Sequence, residues 1–327
     1  MLENLKYIVV DLLSNFDLRL IWLNIFNSKL NLLLALIPCL LLLLILEAKH
    51  FGWNNSALKR LMNPSKSAQL DIALVILYAS SLISILTILF SFGLSELIPI
   101  KVRKLFGFGL INSIDNIYIQ YAVYIIIYDF LFYWKHRLSH TISWWWQLHK
   151  LHHSAEELNL ITADRLHPLD EVITRLFMCL PLAIAGIPLV DFLILTVLHR
   201  SHRMLIHSML PWDFGWLGKY ILISPIAHRI HHSKLPEHTN KNFSNSTPLW
   251  DKLFGTWYEG NIINTSVGVE QNTHNNKLWF VDIWDSYLDF WKYLWKDIRI
   301  LIFRKSTVVD SSTSIIILFL TYLAITI

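Results

Sequence analysis

The chain has 327 residues, 54% of them hydrophobic and only 16% charged, whereas an ordinary soluble domain is roughly 45–50% apolar and about 25% charged. The apolar excess lies in blocks, as membrane spans do, and a net charge of +4 spread along the sequence offers no basic patch to a nucleic acid. The two cysteines, Cys39 and Cys179, lie in apolar stretches, which argues against a disulfide framework and against a thiolate metal site.

Glu3 and Asp11 interrupt the N-terminal stretch, so it does not read as a cleaved leader, and the expected anchors are internal. Residues 30–46 are nearly pure Leu and Ile, broken by Asn31, Pro38 and Cys39, and predict a first span. Residues 72–95 carry no charge over 24 positions, enough for the ~30 Å hydrocarbon layer at ~1.5 Å per residue. Residues 117–134 predict a third span, with Asp129 near its end. Residues 172–198 are apolar but contain Pro181, Gly186 and Pro188, and read as a bent span or a helical hairpin entering from one side. In 279–303, Trp279, Trp284, Leu288, Trp291 and Trp295 recur at helical spacing among Asp and Lys, which predicts a helix lying in the interface. Residues 315–327 are too short to span alone. The loop 47–71 holds Lys49, Lys59, Arg60 and Lys66, against Lys101, Arg103 and Lys104 in the next loop. That one-charge difference leans towards a cytoplasmic first loop, with the histidine-rich segment on the same side.

Histidine is the anomaly, with 12 of the 15 lying between His136 and His232. His136 and His140 form H-x-x-x-H directly after the third span. His149, His152 and His153 form H-x-x-H-H, and His228, His231 and His232 form it again. Residues three and four apart share a helix face, so each box presents two or three imidazoles to one point. Eight imidazoles exceed one ion's needs and suit a pair of borderline divalent metals. Structural zinc often takes cysteine, and no cysteine cluster exists. Zinc proteases use H-E-x-x-H, but Arg137, Leu138 and Ser139 fill the first box. Soluble di-iron bundles use Glu-x-x-His, and these boxes hold no carboxylate. An all-imidazole dinuclear site beside a bilayer fits iron activating O₂ next to a hydrocarbon. Affinity alone leaves zinc or copper open, so a dinuclear-zinc membrane hydrolase and a non-enzymatic metal carrier remain as competing readings.

Several other residues carry expectations. Asp129 lies two helical turns before His136 and is expected to receive an imidazole N–H, because a carboxylate near the bilayer edge is costly without a partner. Trp144, Trp145 and Trp146 read as an interfacial belt. Lys135, Arg137, Lys150 and Arg229 are expected to offer positive charge to an acidic electron carrier. His50, His238 and His274 are expected to be solvated.

The strings Asp129 to His140, Trp146 to Ser154, Asn159 to Pro168, Pro225 to Ser233, Asn242–Phe243 and Trp250 to Thr256 occur in an order that resembles the fatty acid hydroxylase/sterol desaturase superfamily of membrane di-iron oxygenases. The resemblance implies an all-α integral membrane protein of about four transmembrane helices, one of them a bent hairpin, under a cytoplasmic helical cap that carries the boxes. It implies three parts: N-terminal spans over 1–116, a di-iron catalytic domain over 117–260, and an interfacial helix and apolar tail over 261–327. The eight box histidines would hold two Fe²⁺ ions with O₂ as co-substrate, and His207 looks like the ninth ligand that the family often adds. His167 is a ligand or a bracing residue, and Asn159, Arg165 and Asp251 brace the boxes. The substrate class is a membrane lipid such as a sterol or fatty acyl chain, hydroxylated or desaturated, with an ether-lipid monooxygenase as the alternative. Electrons come from an external haem or iron–sulfur carrier with its reductase, since no haem, flavin or Gly-rich nucleotide motif is present. Such a protein belongs in the bacterial inner membrane or the endoplasmic reticulum.

Overall fold

The computed structural model describes residues 18–85, 111–185, 189–263 and 266–303. Among these residues the structure is helical, with one isolated antiparallel bridge between Ser233 and Val267 and no strand. Helix α1 (Leu18–Phe51) carries the first apolar run, and the chain leaves it at Gly52 with φ 76°. The fully buried carboxylate of Glu47 accepts the backbone N–H of Ala57 at 3.1 Å and of Met209 at 3.3 Å, tying the end of α1 to α2 (Ala57–Met62) and to a loop far along the chain. Helix α3 (Lys66–Ala79) starts at Ser65, whose side chain accepts from Ala68 N.

Residues 30–51 of α1 and the whole of α4 (Ile117–Thr141) are long and apolar enough to cross a membrane. Only 17% of each apolar window is buried inside the protein. Leu41, Leu42 and Ile45 on one helix and Ile119, Ile125 and Ile126 on the other are left exposed, an outer surface suited to lipid. The uninterrupted span expected over 72–95 is not seen. α3 ends at Ala79, and the chain turns at Ser81 with φ 64°. Its 14 residues reach about 21 Å, short of the ~30 Å core, and its Leu70 and Leu74 pack against Leu151. Residues 86–95 lie outside the described residues, as does the tail 315–327.

Helix α4 runs past Trp134 to Thr141, so His136 and His140 stand on its last two turns. Only Ile142 separates it from α5 (Ser143–His153), which carries the second box. Helix α11 (Trp279–Phe303) packs on α5, and Trp144, Trp145, Leu148 and Phe290 form one buried cluster there. Trp144 and Trp145 are therefore not an interfacial belt: each is 3% exposed. The opposite side of α11 leaves Trp284, Leu288, Trp291 and Trp295 uncovered.

The bent segment consists of α6 (Pro168–Ala185) and α7 (Leu189–Ile206), with residues 186–188 outside the described residues. Asp170 at its start touches His149, and His207 at its end touches His152. Both ends of the segment thus meet histidines of one cluster. Short helices α8 (Gly215–Tyr220), α9 (Pro225–His231) and α10 (Leu249–Leu253) complete the described elements. Pro225 at the first position of α9 and the Ser224 side chain accepting from Ala227 N start the helix that carries the third box.

Candidate metal centre

Nine histidines gather into two groups. His136, His140, His149, His153 and His231 form one, and His152, His207, His228 and His232 form the other. Within each group the ligand atoms all lie within 4.8 Å of one another. Helical geometry explains the split. Positions four apart share a face, so 136/140, 149/153 and 228/232 each enter one group as a pair. The adjacent histidines of each H-H pair point about 100° apart, as a 3.6-residue period requires, so they fall into different groups. His207, at the end of α7, supplies the fourth member of the second group.

The donor chemistry fits a cation in each group. A backbone carbonyl can only accept, so His136 Nδ1 donates to Phe243 O (2.6 Å), His231 Nδ1 to Lys241 O (2.8 Å) and His207 Nδ1 to Arg203 O (2.7 Å). In the neutral ring that leaves each Nε2 as a bare acceptor. His136 Nε2 and His231 Nε2 then face each other at 2.9 Å, two lone pairs with no proton between them. His207 Nε2 lies 3.0 Å from His228 Nε2 and 3.3 Å from His152 Nε2. The Nε2 atoms of His140, His149 and His153 are buried without a hydrogen-bond partner. Burial pushes His152, His153, His228 and His232 well below the ordinary imidazole range, and the neighbouring imidazoles push them further. Burial takes His207 and His231 to about 3. Neutral, convergent, desolvated imidazoles are the state a divalent metal binds.

Behind the histidines stand carboxylates that orient the scaffold. Asp170 accepts Trp145 Nε1 at 2.6 Å, pairs with Lys135 Nζ at 3.3 Å and approaches His149 Nδ1 at 3.5 Å. Burial alone would raise its carboxyl, but Lys135, His149 and Trp145 together hold it well below the usual range. Arg165 donates to Leu151 O (2.8 Å) and Ser154 Oγ (2.7 Å) at the end of α5 and to Asp71 Oδ1 (2.9 Å). Asn159 and Thr162 each donate to Asp71 Oδ2 at 2.8 Å. Asp251 accepts Phe243 N, Ser244 N and Thr256 Oγ1, fixing the loop whose carbonyl takes His136.

Other expected residues lie elsewhere. Asp129 takes no imidazole; it accepts the backbone N–H of Ser246 and Thr247 at 3.2 and 3.3 Å. His167 stands apart from both groups, with Nε2 donating to Ile283 O (3.1 Å) and Nδ1 accepting from Leu169 N (3.1 Å). His199 and His202 also stand apart, on Asn245 and on Ile223 O. His50 is exposed, but His238 and His274 are buried, at 1% and 3% exposure, and not solvated. Lys135 and Arg229 are buried as well: one pairs with Asp170 and the other donates to Leu210 O, so neither presents charge to a partner. Asp71 and Asp170 are the residues that sequence reasoning missed. Their only local signal is a carboxylate at the head of an apolar helix.

Residues 266–275 roof the centre. Val267 bridges Ser233 after the third box, and Gly268 N donates to His232 O at 3.0 Å. Asn272 and Asn275 both donate to Ser154 O after the second box. Under this strap lies a cavity of about 430 Å³ reaching His140, and a neighbouring one of about 240 Å³ reaches His140, His153 and His231.

Residues 121–256 match the family described as fatty acid hydroxylase. The chain is similar to alkylglycerol monooxygenase of Danio rerio, 31% identical over 168 residues, which are 51% of this chain and 36% of that protein. It is similar to ornithine lipid hydroxylase OlsE of Rhizobium tropici, 32% identical over 139 residues, 42% of each chain. It is also similar to fatty acid hydroxylase vlmA of a Lecanicillium species, 24% identical over 171 residues, 47% of each. The match thus spans less than half the length of these relatives. No solved structure matches.

Proposed function

We propose, from the match of residues 121–256 to the fatty acid hydroxylase family, that the chain is a membrane oxygenase that inserts oxygen into a lipid C–H bond. The observation that carries the reading is the pair of buried histidine groups, five and four strong. The proposed ligands are His136, His140, His149, His153 and His231 for one iron ion and His152, His207, His228 and His232 for the other. Two iron ions held there would supply the redox chemistry of O₂ activation. Hydroxylation then balances as R–H + O₂ + 2 e⁻ + 2 H⁺ giving R–OH + H₂O, with the electrons from an external haem or iron–sulfur carrier and its reductase. Desaturation of the same bond type is the variant outcome.

The protein's own residues keep water away and hold the ligand rings. Phe243 O, Lys241 O and Arg203 O fix three tautomers, and Asp170 faces a fourth ring. Such outer partners are worth on the order of 10–100-fold in metal affinity or activity. The lipid would approach from the bilayer around α4, with the histidines at the cytoplasmic surface of a multi-pass protein. An ether lipid is a second substrate reading, favoured by the likeness to alkylglycerol monooxygenases. The test is metal analysis of purified protein together with lipid profiling of membranes that contain it, with and without O₂. Two irons per chain and an O₂-dependent oxygenated lipid are expected; at most one metal ion per folded chain would overturn the dinuclear reading.

A further inference from the structure

We propose that the 430 Å³ cavity beside His140 seats the polar headgroup of an amphipathic lipid, so that the C–H bond offered to the histidines lies a few carbons from that headgroup. This rests on the lipid-oxygenase reading and narrows its substrate class.

The volume is that of a small-molecule site, at the lower end of the ~300–1,000 Å³ such sites occupy. Its wall is mixed: Trp146, Val269 and Tyr293 are apolar or aromatic, while Gln147 and Lys150 of α5 and Glu270, Asn272, Thr273 and His274 of the strap are polar. Gln147, Lys150 and Asn272 already have protein partners, but an alkyl chain placed there would strip water from Glu270 and Thr273 and return no hydrogen bond. A headgroup with donors and acceptors would satisfy them; Lys150 already pairs with Asp289 at 3.9 Å, which leaves the exposed Glu270 to favour a hydroxylated or zwitterionic headgroup. His274 adds an independent sign. It is 3% exposed, its Nε2 is engaged with Ser286 Oγ at 3.0 Å, and its Nδ1 has no partner. A buried polar atom left unpaired costs about 1–3 kcal/mol, which a bound polar group recovers.

Position sets the distance to the reacting bond. The cavity shares His140, Trp146, Val269 and Glu270 with the 240 Å³ cavity that reaches His153 and His231. A headgroup in the first therefore places its nearest carbons in the second, against the five-histidine group. The strap residues on both walls lie beyond 256, where the family match ends. The wall thus joins α5, inside that match, to strap residues outside it, and the strap half is the part that can set which lipid is taken.

The experiment uses the full chain in nanodiscs and three probes with one C16 tail: hexadecane, 1-hexadecylglycerol and palmitoyl lysophosphatidylethanolamine. Binding is measured for the wild type, Glu270→Ala and Thr273→Trp, both at exposed positions that do not threaten folding. The site of the new oxygen is read by tandem mass spectrometry. At least one headgroup-bearing probe is expected to bind about tenfold tighter than hexadecane, to lose most of that advantage in Thr273→Trp, and to gain oxygen close to the headgroup. Glu270→Ala weakens the zwitterionic probe more than the glycerol one if the headgroup is zwitterionic, and the reverse if it is hydroxylated. Equal binding of hexadecane, indifference to Thr273→Trp, or oxygen in mid-chain with turnover intact would overturn the headgroup site alone. No oxidation of any probe by metal-loaded, reduced protein would instead sink the oxygenase reading.

Discussion

Arg165 is fully buried and places donors on Leu151 O, Ser67 O, Ser154 Oγ, Asn275 Oδ1 and Asp71. Removing one partner of a buried pair leaves an uncompensated charge, at about 3–5 kcal/mol. Arg165→Met should therefore lower thermal stability in detergent by that order, and Asp71→Leu added to it should restore part of the loss. Asp170→Asn removes the partner of Lys135 and the orienting carboxylate of His149, so iron binding measured against a chelator should weaken about 10–100-fold. A pH effect follows from His167, which burial lowers to about 4 from the ordinary 6.5. Its folded form prefers the neutral ring, so the unfolded chain binds more protons between those values. Stability is fully present above about pH 6.5 and falls as pH drops towards 4, by about 3 kcal/mol from this residue. His167→Asn should flatten that part of the acid-unfolding curve. At this scale the box histidines were legible because their spacing is a property of one helix turn. Asp71 was not, because its partners Asn159 and Arg165 stand 88 and 94 positions away.

Among the elements, the strap 266–275 is held by backbone geometry at Gly268, whose φ of 123° lies where L side chains rarely go. An added Cβ would also stand 2.6 Å from Lys234 Cε. The lysine end can move aside, but the backbone cost remains, on the order of 1–3 kcal/mol. Gly268→Ala should speed amide hydrogen exchange across 266–275 while leaving α5 and α9 protected; unchanged exchange in the strap would contradict this account of the roof. Helix α11 was legible from its Trp spacing, with the bounds the sequence suggested. The Trp144–Trp145 pair was misread because an apolar run does not say whether lipid or another helix covers it, and the turn that breaks the second run at Ser81 leaves no mark in its apolar composition. Leu70 and Leu74 meet Leu151, and Trp144 meets Phe290.

For the whole molecule, the sidedness of the boxes decides whether a shared centre is possible. Glu156, after the second box, and Glu237, after the third, are exposed and can carry labelling sites. Cysteines there, in a background lacking Cys39 and Cys179, should both react with an impermeant reagent from the same side of sealed vesicles. Opposite-sided reaction would dismantle both the α6–α7 hairpin and the joint site. Helical class and the convergence of three separated boxes could be read from the sequence because each rests on periodicity or on an ordered set of strings. The roof could not, since residues 266–275 carry no periodic signal and act through single side chains such as Asn272 and Asn275.

The division of each H-H pair between the two groups has a mechanical side. His152 and His153 ride on one rigid helix, and His231 ends α9 with His232 as its cap. A roll of α5 that spoils one group necessarily displaces a ligand of the other. Loading should accordingly be cooperative: a chelator titration followed by metal content is expected to strip both ions in one steep step, with almost no singly occupied protein along the way.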